Sequence, residues 1–528
     1  MIPHAINNHD QKPFVPAVIA FTALLVTTVI LWLLTSTLGS TDLQFLDDPL
    51  QWLRLLESQA AFDTLGNAAE VVAAVLAIAI TVVAIIVELA ANRYSHLITR
   101  LFIHEPLNLV VLGLFVVTTL QCVWTAATLT EPTGTALLPQ AGFAITMALV
   151  TVSLLSLLPY IYFVFSFLSP ISIINRISRN AFNIIRKARP ARIELAQRNT
   201  LNAIDELQDV CRGAIQGGDR GIAMSGISAL TALLYDYSEI RSTLPDNWYT
   251  ATPSVAQDAD FVALAKDSLN AIEEQQIWLE TKIFRQFFSL MTQCAGNARD
   301  VANLIGINTQ QIAKDLGTDN PYLLTLCIKS FNSYLRTTIN AKDARTAYYL
   351  MNQYRILAEH LLAHGKRNAV LEIAGHFREY GQIAHKNGIS FLLEAASYDV
   401  VQLIEHALEI DSDGDIVDEL LDVLLELDQE IKEESQEDSL LGVRRSQIQL
   451  ATYLLQHGHT DRARRIATDL REEKIERLER LRETLLADNR PDYWELMDRG
   501  ANFSYLPPDQ HEHLEVLFDW LRAGKWDA

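Results

Sequence analysis

The chain has 528 residues, 49% of them apolar, with a mean hydropathy of +0.12 and a formal charge of −21. So acidic a balance excludes general electrostatic attraction to nucleic acid, and a positive mean hydropathy argues against a purely soluble protein. The length leaves room for more than one domain.

Apolar residues concentrate in four stretches that are nearly free of charge: Phe14 to Leu38, Val71 to Val87, Leu107 to Leu129 and Ala141 to Leu168. At ~1.5 Å per residue each reaches about 25 to 42 Å, against roughly 30 Å of hydrocarbon. Residues 1–170 are therefore predicted to form a transmembrane domain with helices at about 14–38, 68–91, 107–130 and 141–168. The first span is too long for a secretory signal and has only Lys12 ahead of it, so it is expected to be retained. After it, Asp48-Pro49 has the pattern of an N-cap and a first-turn proline. A short helix with Leu50, Trp52, Leu53 and Leu56 on one side is expected there, flat on the membrane surface.

The second span has a two-faced register. Glu70, Ala73, Ala74, Ala77, Thr81, Ala84, Glu88 and Ala91 recur at steps of three and four, with Val72, Val75, Leu76, Val83 and Ile86 opposite. The two glutamates are about five turns, or ~27 Å, apart and point the same way from opposite edges of the bilayer. Two readings of this face stay open: close packing of another helix against its small residues, or the lining of an aqueous path with carboxylates at its mouths. Both keep the face away from lipid.

Lys and Arg set the orientation. Lys12 precedes the first span, Arg93 and Arg100 lie between the second and third, and Arg176, Arg179, Arg186, Lys187, Arg189 and Arg192 follow the fourth. The other two loops hold only Arg54, so both termini are expected to be cytoplasmic. Trp32 and Trp124 then fall toward the outer surface, and Tyr160, Tyr162, Phe163, Phe165 and Phe167 toward the inner one, as aromatic belts do. The basic run after the fourth span is explained by topology, and weak contact with anionic lipid is compatible with it. Pro159 is expected to kink the fourth span and Pro170 to mark its end.

Beyond about residue 178 the periodicity stays helical and becomes amphipathic, with no series of alternating strands. Breaks are expected at Gly217-Gly218, Pro245 to Pro253, Thr318 to Pro321, near Gly388, at Asp411 to Asp415, and at Pro491 and Pro507-Pro508; a long helix is expected over 258–300. Two segments, LAEHLLAHGKRNAVLEIAGHFRE (357–379) and LATYLLQHGHTDRARRIATDLRE (450–472), share 10 of 23 residues at an offset of 93. The shared frame predicts a helix ending on Gly365 or Gly458, a tight turn and a second amphipathic helix. The second copy resembles a tetratricopeptide-type hairpin, without its full signature or its 34-residue period. The predicted fold class is thus all-α: a four-helix transmembrane domain, a juxtamembrane helical connector at 171–250, and a solenoid-like α-helical domain at 251–528.

Few residues suggest chemistry. EIDSDGDIVDEL (409–420) places Asp411 and Asp413 as in a calcium loop, but Leu420 stands where a bidentate glutamate is needed. A solvated acidic turn capping a helix from Ile416 fits better. His360/His364, His457/His459 and His511/His513 lack zinc partners, and HLLAH lacks the glutamate of HExxH. There is no phosphate loop, and AMSGI around Ser225 lacks the first glycine of GxSxG. Cys122, Cys211, Cys294 and Cys327 form no CxxC pair or disulfide framework, which suits a reducing compartment for the later part. No enzyme, cofactor or structural metal is expected from these residues.

PFVPAVIA (13–20), VELAANRYSHLITRLFIHE (87–105), VVLGLFVVTTL (110–120) and LLPQAGFAITMALV (137–150) carry one family likeness. Through them the membrane half resembles a large bacterial family of predicted four-helix membrane proteins that carries a domain-of-unknown-function label. Tyr94-Ser95 corresponds to an aromatic–serine pair of that family and Arg100 to a basic position beyond it. Glu88 stands where the family generally has glutamine, and His96-Leu97 replaces Pro-Arg, which puts the inner carboxylate outside the family pattern. The resemblance implies the four-helix topology and a bacterial inner-membrane location. The expected partners are the lipid bilayer, further copies of the chain, and a cytoplasmic protein docked on the helical domain, with no nucleic acid. The expected role is a homo-oligomeric channel-like or transport-related assembly, or alternatively a non-conducting scaffold that presents a helical platform.

Overall fold

The computed structural model describes residues 21–30, 58–93, 102–103, 105–129, 138–411, 414–427, 437–493, 499–500 and 502–523. Among them every extended regular element is a helix. The chain divides into two compact units, Met1–Ile177 and Ser178–Ala528.

The first unit contains α1 (Phe21–Ile30), α2 (Ser58–Arg93), α3 (Pro106–Leu129) and α4 (Leu138–Phe167). The last three are long and apolar enough to cross a membrane. Of the first predicted span only residues 21–30 are described, and these are helical; the rest of it, and the predicted surface helix after Asp48, lie outside the described residues. α2 starts at Ser58 rather than near 68. Apolarity marks where a helix can meet lipid, whereas backbone hydrogen bonds carry it on through Asp63 and Asn67. Pro159 lies inside α4, which continues to Phe167, and Pro170 opens the next helix, α5 (Pro170–Arg186).

α2 packs on α3 and α4, and α3 on α4. At one end Ala61 and Leu65 of α2, Ala126 of α3 and Phe143 of α4 close a small core. Along the α3–α4 seam, hydroxyl pairs join the helices: Thr118 with Ser153 at 2.8 Å and Thr125 with Thr146 at 3.0 Å. In hydrocarbon no water competes for these groups, and each such bond contributes on the order of 1 kcal/mol. Many large apolar side chains point away from the bundle, Ile78 (65% exposed), Leu109 (67%) and Trp124 (66%) among them. Lipid is the solvent that accepts such a surface.

The second unit is built of α6 (Ile193–Gln216), α7 (Arg220–Ile240), α8 (Lys266–Glu274), α9 (Trp278–Cys294), α10 (Arg299–Ile312), α11 (Pro321–Asn340), α12 (Ala344–Ala363), α13 (Arg367–Lys386), α14 (Phe391–Ile410), α15 (Asp415–Leu425), α16 (Glu437–Gln456), α17 (Thr460–Leu470), α18 (Ile475–Ala487) and α19 (His511–Ala523). From α10 to α14 each helix packs on the next and on the next but one, and α14 packs in turn on α15 and α16. Stacking of this kind buries one face of each helix against its successors.

The two similar segments fold alike. α12 and α13 turn at Gly365 (φ +68°), and α16 and α17 at Gly458 (φ +81°). Their shared apolar residues lie in the core: Leu357, Ala358, Leu361, Ile373 and Ala374 in the first, Leu450, Ala451, Leu454, Ile466 and Ala467 in the second, all fully buried. The shared histidines are helix caps, His364 Nδ1 lying 2.7 Å from the carbonyl oxygen of His360 and His457 Nδ1 2.9 Å from that of Tyr453. The backbone closes identically, with Lys366 N–H donating to Leu361 O at 2.9 Å and His459 N–H to Leu454 O at 2.8 Å. Bonds of this type satisfy carbonyls that a helix end would otherwise leave open.

The same closure appears where no glycine announces it, and it overturns the expected long helix over 258–300. That stretch is divided among α8, α9 and the start of α10. Gln276 adopts φ +59° and Ile277 N–H donates to Ile272 O at 3.1 Å, which ends α8. Lys342 (φ +55°), with Asp343 N–H donating to Thr338 O at 2.9 Å, ends α11 in the same way. A left-handed backbone costs an L-residue about 1–2 kcal/mol, and glycine escapes that cost but loses more entropy on folding. Lys342→Gly and Gln276→Gly are each expected to stabilise the helical unit by about 0.5–1 kcal/mol, read as a higher midpoint in urea.

Candidate functional site

α2 carries the pattern that drew attention in the sequence. Its contacts within the chain fall on the large-aliphatic side, where Leu65, Val72 and Val87 are buried. The opposite stripe, Glu70, Ala73, Ala74, Ala77, Thr81, Ala84 and Glu88, is exposed along its whole length. Thr81 Oγ1 donates to the Ala77 carbonyl at 2.8 Å, so its hydroxyl is satisfied within the helix. Among the described residues neither Glu70 nor Glu88 has an ion-pair partner. The chain thus uses the bulky side of α2 for its own bundle and leaves the small, acid-ended side uncovered.

The basic residues divide. Arg100 lies outside the described residues, as does the side chain of Arg93, which ends α2. Arg176 is drawn into the first unit: its guanidinium donates to Glu105 Oε2 at 2.8 Å and sits 4.1 Å over the ring of Phe167. Phe167 in turn meets Phe102 edge to face at 5.4 Å. Glu105 directly precedes α3, so the pair fastens the start of that helix to the residues after α4. Arg179, Arg186 and Lys187 lie on the exposed side of α5, whose other side buries Ile173, Ile174, Ile177, Ala181 and Ile185.

The acidic turn is described only in part. Asp411 follows the end of α14, α15 begins at Asp415, and Asp413 is outside the described residues. No group of three or more His, Cys, Asp or Glu side chains that could hold a metal occurs among the described residues. Ser225 donates to the Gly221 carbonyl of its own helix at 2.9 Å.

Two polar centres in the second unit escape sequence reasoning because their members are far apart in the chain. Lys282 is fully buried, its Nζ lying 2.7 Å from Asp205, 2.8 Å from Asp258 and 2.7 Å from Asp260. Burial alone would depress the ammonium pKa, but these hydrogen bonds outweigh it and hold it above its ordinary value, while desolvation raises the Asp205 carboxyl. The sequence offers one cue, a lysine on the inward face of an apolar helix. Removing one partner of a buried charge cluster leaves the others uncompensated, so Lys282→Met is expected to cost about 3–5 kcal/mol in urea unfolding. Adding Asp258→Asn should recover part of that loss.

Glu280, two residues earlier, is 2% exposed; its Oε1 is 3.3 Å from Arg241, and Oε2 has no hydrogen-bond partner among the described residues. Desolvation, partly offset by Arg241, pushes its pKa up to about 7. An acid whose folded pKa is raised loses stability as pH climbs from the unfolded value toward the folded one, because only the unfolded chain can ionise freely there. Glu280→Gln is therefore expected to raise Tm relative to the natural protein at pH 8 and to give up most of that advantage at pH 5.

Three apolar helices of bilayer length followed by a stacked helical unit define an all-α membrane protein. Residues 10–220 are similar to the family described as "Predicted membrane protein (DUF2254)", whose model matches them. The match continues past the three bilayer-length helices through α5 and α6. No curated protein and no solved structure gives a significant match.

Proposed function

We propose that the protein is a homo-oligomeric, channel-like or transport-related assembly of the bacterial inner membrane, in which the uncovered stripe of α2 faces its counterparts in neighbouring copies. The observation that carries this reading is the division of α2: Leu65, Val72 and Val87 are spent on the chain's own bundle, and the alanines with Glu70 and Glu88 at either end remain exposed. Carboxylates at both edges of a bilayer are costly against lipid and are accommodated where they meet water or protein. Rings of such groups around an axis favour cations. The charge pattern of the loops supports cytoplasmic termini, and the helical unit then stands in the cytoplasm as a regulatory or docking domain.

The competing reading is a non-conducting scaffold whose stacked helices present a platform to a protein partner. It draws on the helix array from α10 to α16. Planar bilayers separate the two: the purified protein should pass cations, and Glu70→Gln and Glu88→Gln should each alter their selectivity. Single cysteines test the geometry behind this. Ala77→Cys and Ala84→Cys should cross-link between copies on oxidation, and Ile78→Cys should not. Absent current together with cross-linking through Ile78 instead of Ala77 would sink the channel reading.

A further inference from the structure

The end of the second unit holds an irregular segment against three helices. Residues 499–506 lie between α18 and α19, and their described part has no helical structure. Arg499 enters first, its guanidinium 3% exposed. It donates to both oxygens of Asp399 in α14, at 2.5 and 3.1 Å, and to the Tyr348 carbonyl of α12 at 2.7 Å, while stacking 4.0 Å from the Tyr348 ring. Asp399 is fully buried and is also approached by Arg355 at 3.3 Å. Four residues on, Phe503 stacks on Tyr398 with ring centres 4.3 Å apart. Gln449 of α16 then donates from one amide nitrogen to two backbone carbonyls, of Phe503 at 3.1 Å and of Tyr505 at 2.8 Å.

The segment is a turn, with Gly500 at φ +65° and Tyr505 N–H donating to Asn502 O at 3.0 Å, and the helical groove reads both its backbone and its side chains. A carboxamide that grips main-chain carbonyls holds any sequence, whereas a buried carboxylate beneath an aromatic ring demands arginine, and a tyrosine-lined face demands an aromatic residue. The segment is also braced internally, independently of the groove. Asn502 Nδ2 donates to Asp488 Oδ2 at 2.8 Å and to the Arg490 carbonyl at 2.9 Å, and Tyr493 N–H donates to Gly500 O at 3.0 Å. A unit held together by its own bonds can leave as one piece. The face beneath it keeps a buried acid with Arg355 at 3.3 Å, and an arginine-bearing occupant adds the hydrogen bonds to both of its oxygens.

We propose that the groove formed by α12, α14 and α16 is a receptor for a turn-forming segment of a partner protein carrying an arginine followed four residues later by an aromatic residue, and that the chain's own Arg499 and residues 502–506 occupy it in cis. The partner engages Asp399, Tyr398 and Gln449 when it displaces the chain's own segment. This interaction surface is independent of what the membrane helices conduct.

The test uses full-length protein in detergent and two fluorescein-labelled synthetic peptides: residues 498–508, and the same peptide with alanine for Arg499 and Phe503. In the double variant Arg499→Ala, Phe503→Ala the groove loses its own anchors. The natural peptide should bind that variant saturably, at least about ten-fold more tightly than it binds the unaltered protein and than the alanine peptide binds the variant. Adding Gln449→Ala should weaken binding by about ten-fold or more. A folded double variant that binds both peptides alike overturns the proposal. Should the double variant lose its helical circular dichroism, the unaltered protein decides: an excess of the natural peptide, and not of the alanine peptide, should speed amide exchange at residues 502–506, and unchanged exchange overturns the proposal.

Discussion

Backbone amides and carbonyls must be hydrogen-bonded wherever water is excluded, and both units of this protein are built around that demand. In hydrocarbon the demand is met within each span, which is why α2, α3 and α4 run unbroken for bilayer length and why Pro159 is tolerated inside a continuing helix. In the second unit it is met at helix ends. The turns at Gly365, Gly458, Gln276 and Lys342 close their helices with the same pair of backbone bonds, and the stacking of α10 to α16 depends on such sharp, fully satisfied corners.

Given those corners, the interior can admit charge only where partners converge. Lys282 is neutralised by aspartates from α6 and from the segment before α8, and Asp399 by arginines from α12 and from beyond α18. Each centre joins elements far apart in the chain, so breaking one loosens the array at several points. Glu280 stays under-satisfied, and its elevated pKa reflects that deficit.

The membrane unit follows a different economy. Hydroxyl pairs such as Thr118–Ser153 and Thr125–Thr146 fix α3 against α4, and bulky aliphatics fix α2 to both, leaving the slim acid-ended stripe exposed. The Glu105–Arg176 pair ties the start of α3 to the residues beyond α4, so the helices that meet lipid are held by polar bonds at their margins as well as along the α3–α4 seam. The two units thus carry surfaces of different chemistry, an exposed stripe of small residues on α2 and, in the second unit, a face of α12, α14 and α16 that bears an acid, tyrosines and a glutamine.

Periodicity by itself determined that the chain is all-α, that its N-terminal part carries bilayer-length helices, that Glu70 through Glu88 share one helix face, and that glycines end the two matching helices. These are local properties, set by 3.6 residues per turn and by which residues tolerate a left-handed backbone. Tertiary structure decided the rest. The sequence left open what meets the small-residue face of α2, and within the chain that helix buries Leu65, Val72 and Val87 on its other face, because a face is defined by register but its partner only by packing. The turns at Gln276 and Lys342 were hidden because ordinary side chains accept the left-handed backbone only when the surrounding bonds repay it. The convergence of Arg499, Asp399 and Tyr348 depends on residues up to 151 positions apart, a separation at which no local pattern carries information about contact.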